Sequence, residues 1–269
     1  MQYDPIKRSL GNVFNKNSFL RISFYKLLDL LLLRTWHIKK ELKNLKKTLS
    51  GNSYFLDAGS GYGQYTHFLG RKFRKAKIYA IDVKEEQIED CNRFISNTSM
   101  SDRVVFAVGD LTMYSEKEKY KLILSVDVME HIEDDIKVFQ NFYASLKKDG
   151  VLLISTPSDQ GGSDVHDEHE NSFIDEHVRD GYNINEIEEK LRSAGFSKIS
   201  TRYSYGCPGK ISWKLSMKYP ISLLNFSKTF FIILPVYYLI TFPFSLVLNY
   251  LDVKIKNKTG TGLIVKAIK

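Results

Sequence analysis

One run, Tyr54-Phe55-Leu56-Asp57-Ala58-Gly59-Ser60-Gly61-Tyr62-Gly63, places an acid and three alternating glycines after a short apolar stretch. The apolar residues read as a strand, and Gln64 to Arg74 reads as a helix. A glycine turn between strand and helix lets backbone come close to a ligand, because no Cβ stands in the way. The N–H groups at the helix start then point at whatever binds there. In an open α/β sheet this corner lies outside the carboxyl ends of the strands, where ligands sit.

Other acids follow at the ends of further apolar runs. Lys77 to Ile81 reads as a strand ending in Asp82, about where a carboxylate holds a ribose diol. Its two oxygens can accept from both hydroxyls. Arg103 to Val108 reads as a third strand before Gly109-Asp110-Leu111, and Tyr120 to Val126 as a fourth before Asp127-Val128-Met129-Glu130-His131-Ile132. Gly150 to Thr156 reads as a fifth, ending in Thr156-Pro157-Ser158. The run His177-Val178-Arg179-x-Gly181-Tyr182 then precedes a helix and Ala194-Gly195-Phe196.

The nicotinamide fingerprint G-x-G-x-x-G fits only at Gly59 and Gly61, since its third glycine falls on Gln64. Asp57-x-Gly59-x-Gly61-x-Gly63 instead resembles motif I of class I S-adenosylmethionine-dependent methyltransferases. The segment from Asp127 to Ile132 resembles the D-x-x-E-H-[IL] stretch of many small-molecule members, including quinone and polyketide-type C- and O-methyltransferases. The resemblance covers roughly residues 50–205 and the last strand. It implies an α/β fold: a doubly wound, mainly parallel seven-stranded sheet with helices on both faces and an antiparallel last strand. It implies S-adenosylmethionine as cofactor, a molecule with an ammonium, a carboxylate and a sulfonium but no pyrophosphate. Asp57, Gly59, Gly61 and Gly63 would cradle its methionine end, and the Val126–Asp127 backbone would line that side. Asp82, with Val83 beside it, would hold the ribose. Asp110 and Leu111 would hold the adenine. A nicotinamide oxidoreductase or epimerase, or a non-catalytic membrane-associated protein that kept the fold, remains as an alternative.

His131 follows the fourth strand and has an ordinary pKa near neutrality, so it is a candidate base, with Glu130 orienting it or lining the site. It could equally cap the next helix. His177 and Arg179 are candidate substrate residues, Arg179 through a bidentate grip on phosphate or carboxylate; a salt bridge is the other reading of Arg179. His166-Asp167-Glu168-His169-Glu170 contains two histidines at i and i+3, but the run reads as a solvated lid loop, and no metal is expected.

The 269 residues, 43% of them hydrophobic, suffice for one large core with an appendage. Residues 1–50 read as a basic amphipathic segment: 1–16 loosely ordered, then one or two helices with Phe19, Ile22, Ser23, Lys26, Leu27, Leu30 and Leu33 at near-helical spacing. That face packs across the cofactor site or touches lipid. Residues 51–206 form the cofactor-binding core and 259–269 its last strand. Cys91 and Cys207 have no metal spacing and suggest a reducing compartment. No leader peptide is expected, because the first apolar run, Leu27 to Leu33, lies late and contains Asp29.

Net charge is +8, and no nucleic-acid module is recognisable, so a membrane surface is the expected anionic partner. Residues 207–258 read as a hydrophobic helical insertion. Thr229 to Leu251 contains no charge and is flanked by lysines. It is long enough for a span. Yet Thr261 to Ile268 reads as the last strand, and a single crossing would strand it across the bilayer. Pro235 and Pro243 should break the helix. The expectation is two short helices that bend back, dipping into one leaflet, capping an apolar pocket or packing on the core. The acceptor expected from this is small and apolar or lipid-linked, and the location cytoplasmic, peripheral at the inner face of the membrane.

Overall fold

Alternating apolar runs and amphipathic segments build a doubly wound sheet. The computed structural model describes residues 17–49, 51–161 and 178–269. The expected loose segment 1–16, the His166–Glu170 run and His177 lie outside the described residues.

Strands β1 (Tyr54–Ala58), β2 (Lys77–Asp82), β3 (Val104–Val108), β4 (Tyr120–Val126), β5 (Leu146–Pro157), β6 (Lys198–Ser204) and β7 (Gly262–Ile268) pair in the order β3-β2-β1-β4-β5-β7-β6. Neighbours are parallel except β7, which runs antiparallel between β5 and β6. The central strands β1 and β4, buried on both faces, are nearly continuous in apolar residues, whereas the edge strands β3 and β6 are partly exposed. Phe55, Ile78 and Leu124 face one core, and Leu56, Ile81 and Ile123 the other. β5 begins at Leu146, earlier than the turn at Gly150 suggested.

Helices α1 (Ser18–Leu31), α2 (Leu33–Asn44), α3 (Gln64–Lys72) and α4 (Glu85–Ser96) supply the first core, through side chains such as Tyr25, Ile38, Leu69 and Ile88. Helices α5 (Asp135–Ser145) and α6 (Ile184–Ser193) cover the other face through Val138, Phe139, Ile187 and Leu191. The strand order reverses between β1 and β4, and the crevice above their carboxyl ends is the place for a ligand.

Between β6 and β7 the chain leaves through α7 (Cys207–Trp213), a π-helical turn (Lys214–Lys218) and α8 (Tyr219–Phe226). After a 3₁₀ turn (Lys228–Ile232) it returns through α9 (Leu234–Lys254). The insertion therefore does bend back, and β7 regains the sheet. The expected break within Thr229 to Leu251 is not where the prolines stand. Pro235 occupies the first turn, where its missing N–H costs nothing, and Pro243 sits inside one continuous helix of 21 residues. The turn comes before them, at 227–233.

The foot of this hairpin is fixed by Asp252, buried at the end of α9. Its carboxylate accepts from the N–H groups of Tyr205, Gly206 and Gly209 (2.8–3.1 Å) and bonds His37 Nε2 of α2 at 2.8 Å. Arg202 reaches His37 Nδ1 at 2.8 Å. A guanidinium only donates, so Nδ1 is the acceptor and the proton sits on Nε2, facing Asp252. Burial holds the His37 pKa below its ordinary value, which agrees with a neutral ring.

Candidate active site

The glycine corner is locked to its neighbours by backbone. Gly59 and Ser60 donate to the Ile81 carbonyl at the end of β2, 2.8 and 3.0 Å, and Gly109 donates to the Asp82 carbonyl, 3.0 Å. Gly59, Gly61 and Gly63 all have positive φ, between 48° and 80°. A Cβ on Gly59 would lie 2.2 Å from Val128, so the loop after β1 and the loop after β4 touch there. At Gly61 the nearest atom to such a Cβ is 3.9 Å away, so that stretch of backbone faces open space.

Asp82 organises this corner. Its Oδ2 accepts from Gly61 N–H at 2.8 Å and its Oδ1 from Lys84 N–H at 3.0 Å. Each oxygen keeps a lone pair for a ligand hydroxyl. Val83 next to it leaves an apolar side chain 54% exposed. On the neighbouring strand, Asp110 is exposed at the rim and its Oδ1 accepts from the Thr112 N–H and hydroxyl, both at 2.8 Å. Leu111 is buried beside it, and Asn141 of α5 pins that loop through the Leu111 and Thr112 carbonyls.

Asp57 lies below the loop rather than on its open side. It is buried, and Thr66 of α3 bonds it through both hydroxyl (2.5 Å) and backbone. Burial, with the nearby Asp82 charge, pushes its pKa up to about 7. Its strand position points it at the helix that follows, where its bond to Thr66 ties β1 to α3 beneath the glycine turn. Ser60 has a buried hydroxyl oxygen with no hydrogen-bond partner. Sequence reasoning passed over it as one of the spacers between glycines.

At the end of β4 Val126 is nearly buried, and Asp127 has a positive φ of 52°, a strained backbone for a non-glycine residue. Its N–H donates to Ser155 on β5 at 2.8 Å, and its carboxylate pairs with Arg34 of α2. Glu130, in the 3₁₀ turn Met129–His131, is 1% exposed and accepts from Thr156 Oγ1 at 3.1 Å. Burial first, then the Asp127 charge, pushes its pKa up to about 8. His131 is exposed, and its N–H donates to the Val128 carbonyl at 3.0 Å.

Arg179 does not wait for a substrate anion. Its guanidinium is spent on Asp135 and Tyr182, and on the carbonyls of Ile132 (2.9 Å) and Glu133 (3.1 Å). The ion-pair reading is the one its geometry carries: Arg179 clamps the loop after Glu130. Among the described residues no three His, Cys, Asp or Glu side chains gather as a metal site.

The N-terminal helices are part of this corner. Arg21 is buried, donating to the Tyr62 and Asp90 carbonyls (3.0 Å each) and to Tyr25 Oη (2.7 Å), and Tyr25 Oη donates to the Tyr62 carbonyl. Gln64, where the nicotinamide pattern wants glycine, bonds Asp29 of α1 at 2.9 Å. Arg21, Tyr25 and Arg34 carried no sequence signal beyond polar residues on helices, and only the fold brings them to the glycine turn.

The Asp82 carboxylate, an open glycine backbone and the orphaned Ser60 hydroxyl thus meet at the carboxyl ends of β1 and β2. A family model described as a methyltransferase domain matches residues 49–214, more than half of the chain. The chain belongs to the class I S-adenosylmethionine-dependent methyltransferase family. That family's cofactor fits the chemistry present: the Asp82 oxygens keep lone pairs that ribose hydroxyls would use, Val83 and Leu111 offer apolar surface, and the Gly61 backbone is open. Curated relatives in this family include the malonyl-[acyl-carrier protein] O-methyltransferase of Bacillus anthracis, 30% identical over 46% of this chain and 46% of its own length. The ubiquinone biosynthesis O-methyltransferase of Pelagibacter ubique is 26% identical over 44% of each chain. The chain thus matches about half the length, or less, of the curated relatives. The phosphoethanolamine N-methyltransferase 2 of Haemonchus contortus, solved with phosphomonomethylethanolamine and S-adenosylhomocysteine, shares the fold: TM-score 0.59, 20% identity, 86% of this chain and 52% of that one.

Proposed function

We propose that this chain transfers a methyl group from S-adenosylmethionine to an apolar or lipid-linked acceptor, such as a quinone precursor, an isoprenoid or a lipid-carried sugar, at the cytoplasmic face of a membrane. One observation carries the choice of acceptor. The foot of the apolar hairpin is wired to the end of β4: Asp252 accepts from Tyr205 N–H, Tyr205 Oη accepts from Arg34 N–H (3.1 Å), and Arg34 pairs with Asp127. This brings the foot of the hairpin to the end of β4 and supports an acceptor carried by the hairpin.

The bound cofactor supplies a methyl group already activated on a cationic sulfur, so that the sulfur leaves as a neutral thioether. The protein's main task is alignment, which can lower a barrier by roughly 7–11 kcal/mol. The interlocked corner of Gly59, Ser60, Gly61 and Asp82 does this on one side, and the strained Asp127 turn on the other. Two relatives named O-methyltransferases support an oxygen acceptor. A hydroxyl must lose its proton as it attacks, and a base works best when its pKa lies near the working pH. Glu130, raised to about 8, meets that condition, and His131 beside it is the second candidate.

The test is label transfer. Protein given methyl-labelled S-adenosylmethionine and a membrane lipid extract should move label into the organic phase. Label confined to water-soluble acceptors would overturn the acceptor class, and no transfer to any acceptor would overturn the activity.

A further inference from the structure

The hairpin is built the wrong way round for water. Along α9 the side chains turned outward are Val236, Leu239, Ile240, Phe244, Val247, Tyr250 and Leu251, a stripe at i, i+3, i+4, i+8 spacing. Leu239 is 78% exposed, and Ile232 in the preceding turn 81%. Three of the four buried side chains of α9 are polar, Ser245, Asn249 and Asp252, with Val253 the apolar one at the foot. A helix on the surface of a water-soluble domain has the opposite arrangement.

The packing between the arms has the same character. Gly209, Ser212 and Ser216 form the buried face of the outgoing arm. Ser212 Oγ donates to the Ser245 carbonyl at 3.1 Å, and Tyr237 and Tyr238 donate to the Leu215 and Ser216 carbonyls at 2.6 and 2.9 Å. Small residues in contact with polar cross-links are how helices associate when the surroundings are as apolar as leucine. Helix α1 repeats the inversion. Arg21 and Tyr25 are its buried residues, whereas Phe19, Leu27 and Leu30, from the face expected to pack or to touch lipid, are exposed.

Charge names the partner. Residues 207–258 hold seven lysines against one acid, and that acid, Asp252, is buried. Lys254, Lys256 and Lys258 are exposed at the foot, while Lys210, Lys214 and Lys218 recur every four residues along the outgoing arm. From Leu234 to Asp252 α9 rises about 27 Å at 1.5 Å per residue, close to a bilayer's hydrocarbon thickness. An upright hairpin would carry Lys214 and Lys218 into that hydrocarbon, which is costly. Lying along the surface, it keeps lysines at the headgroups and puts the apolar stripe among acyl chains.

We infer that the 207–258 hairpin, with α1, seats this protein in one leaflet of an anionic lipid bilayer. The inference deepens the reading of a bilayer-borne acceptor, but its test needs neither cofactor nor turnover. Purified protein is floated with vesicles of phosphatidylcholine alone and of phosphatidylcholine containing phosphatidylglycerol. The protein should float with the anionic vesicles, and added salt should weaken this. Leu239→Glu with Phe244→Glu should reduce the floating fraction at least tenfold. Both positions are exposed, so the melting temperature in detergent should stay at the parent value, which verifies the fold. Lys254→Glu with Lys256→Glu should remove the preference for phosphatidylglycerol. The inference is overturned if the parent stays with neither vesicle, if the double-glutamate variant floats as the parent does, or if the stripe is covered in a stable dimer that vesicles leave intact. Flotation without methyl transfer would leave this inference standing and defeat the proposed reaction instead.

Discussion

The Asp82 carboxylate joins two loops through its two oxygens, so its loss should be felt in binding before stability. Removing charged hydrogen bonds of this kind costs about 1.5–3 kcal/mol each, so Asp82→Ala should weaken S-adenosylhomocysteine at least tenfold. Ser60 separates the two effects differently. Its buried hydroxyl has no partner, so Ser60→Ala should leave the melting temperature of the free protein unchanged or higher. If that hydroxyl meets the cofactor, affinity should fall about three- to tenfold by calorimetry, a neutral hydrogen bond's net worth. Glu130 bears on the chemistry. With its pKa raised from an ordinary 4.5 to about 8, a base there would make the rate climb with pH and level off above about 8. Glu130→Gln should flatten that profile and lower kcat by about 10²–10⁴. An unchanged profile would move the base to His131 or elsewhere.

Among the elements, the two loops that meet at Gly59 and the foot of the hairpin are the tight places. Gly59→Ala forces a Cβ against Val128 and a side chain onto a φ of +80°. Strain and overpacking together should cost about 2–4 kcal/mol, read as a fall of roughly 4–16 °C in melting temperature for a chain of this size. Asp252→Ala orphans His37 and three N–H groups, two of them buried. Limited proteolysis should then cut between α7 and α9 while the core still binds S-adenosylhomocysteine; an uncut hairpin would show that Asp252 is not its anchor. Much at this scale was legible in the sequence. Each strand of the glycine corner ends in an acid or glycine at a spacing that the parallel sheet then brings into line. The continuity of α9 was not legible, because a proline rule that considers one helix cannot see a second arm packed along it. Nor was the buried face of α1, where hydrogen bonds to the Tyr62 and Asp90 carbonyls bury Arg21 and leave Phe19 outside.

For the molecule as a whole, a chain of net charge +8 sets Asp82, Asp110 and Asp127 at the ends of its parallel strands and seven lysines in its apolar hairpin. Asp57 and Glu130 carry pKa values raised to about 7 and 8, so the folded state holds their protons more tightly than the unfolded chain does. Their contribution is complete below their ordinary values near 4 and is lost as pH rises through 7 and 8. The melting temperature should therefore decline between about pH 5 and pH 8 and then level off, and decline less steeply in Glu130→Gln. The sequence revealed the basic ends and the apolar insertion but not Arg34, which reaches Asp127 only because α2 folds over β4.

The central claim, that these loops form one cleft for a sulfonium nucleoside, meets its most direct test in titration calorimetry with S-adenosylhomocysteine. The parent protein should bind one equivalent with measurable heat, and Asp82→Ala should bind at least tenfold more weakly with an unchanged fold. No heat from the parent, or equal affinity in the variant, would contradict it.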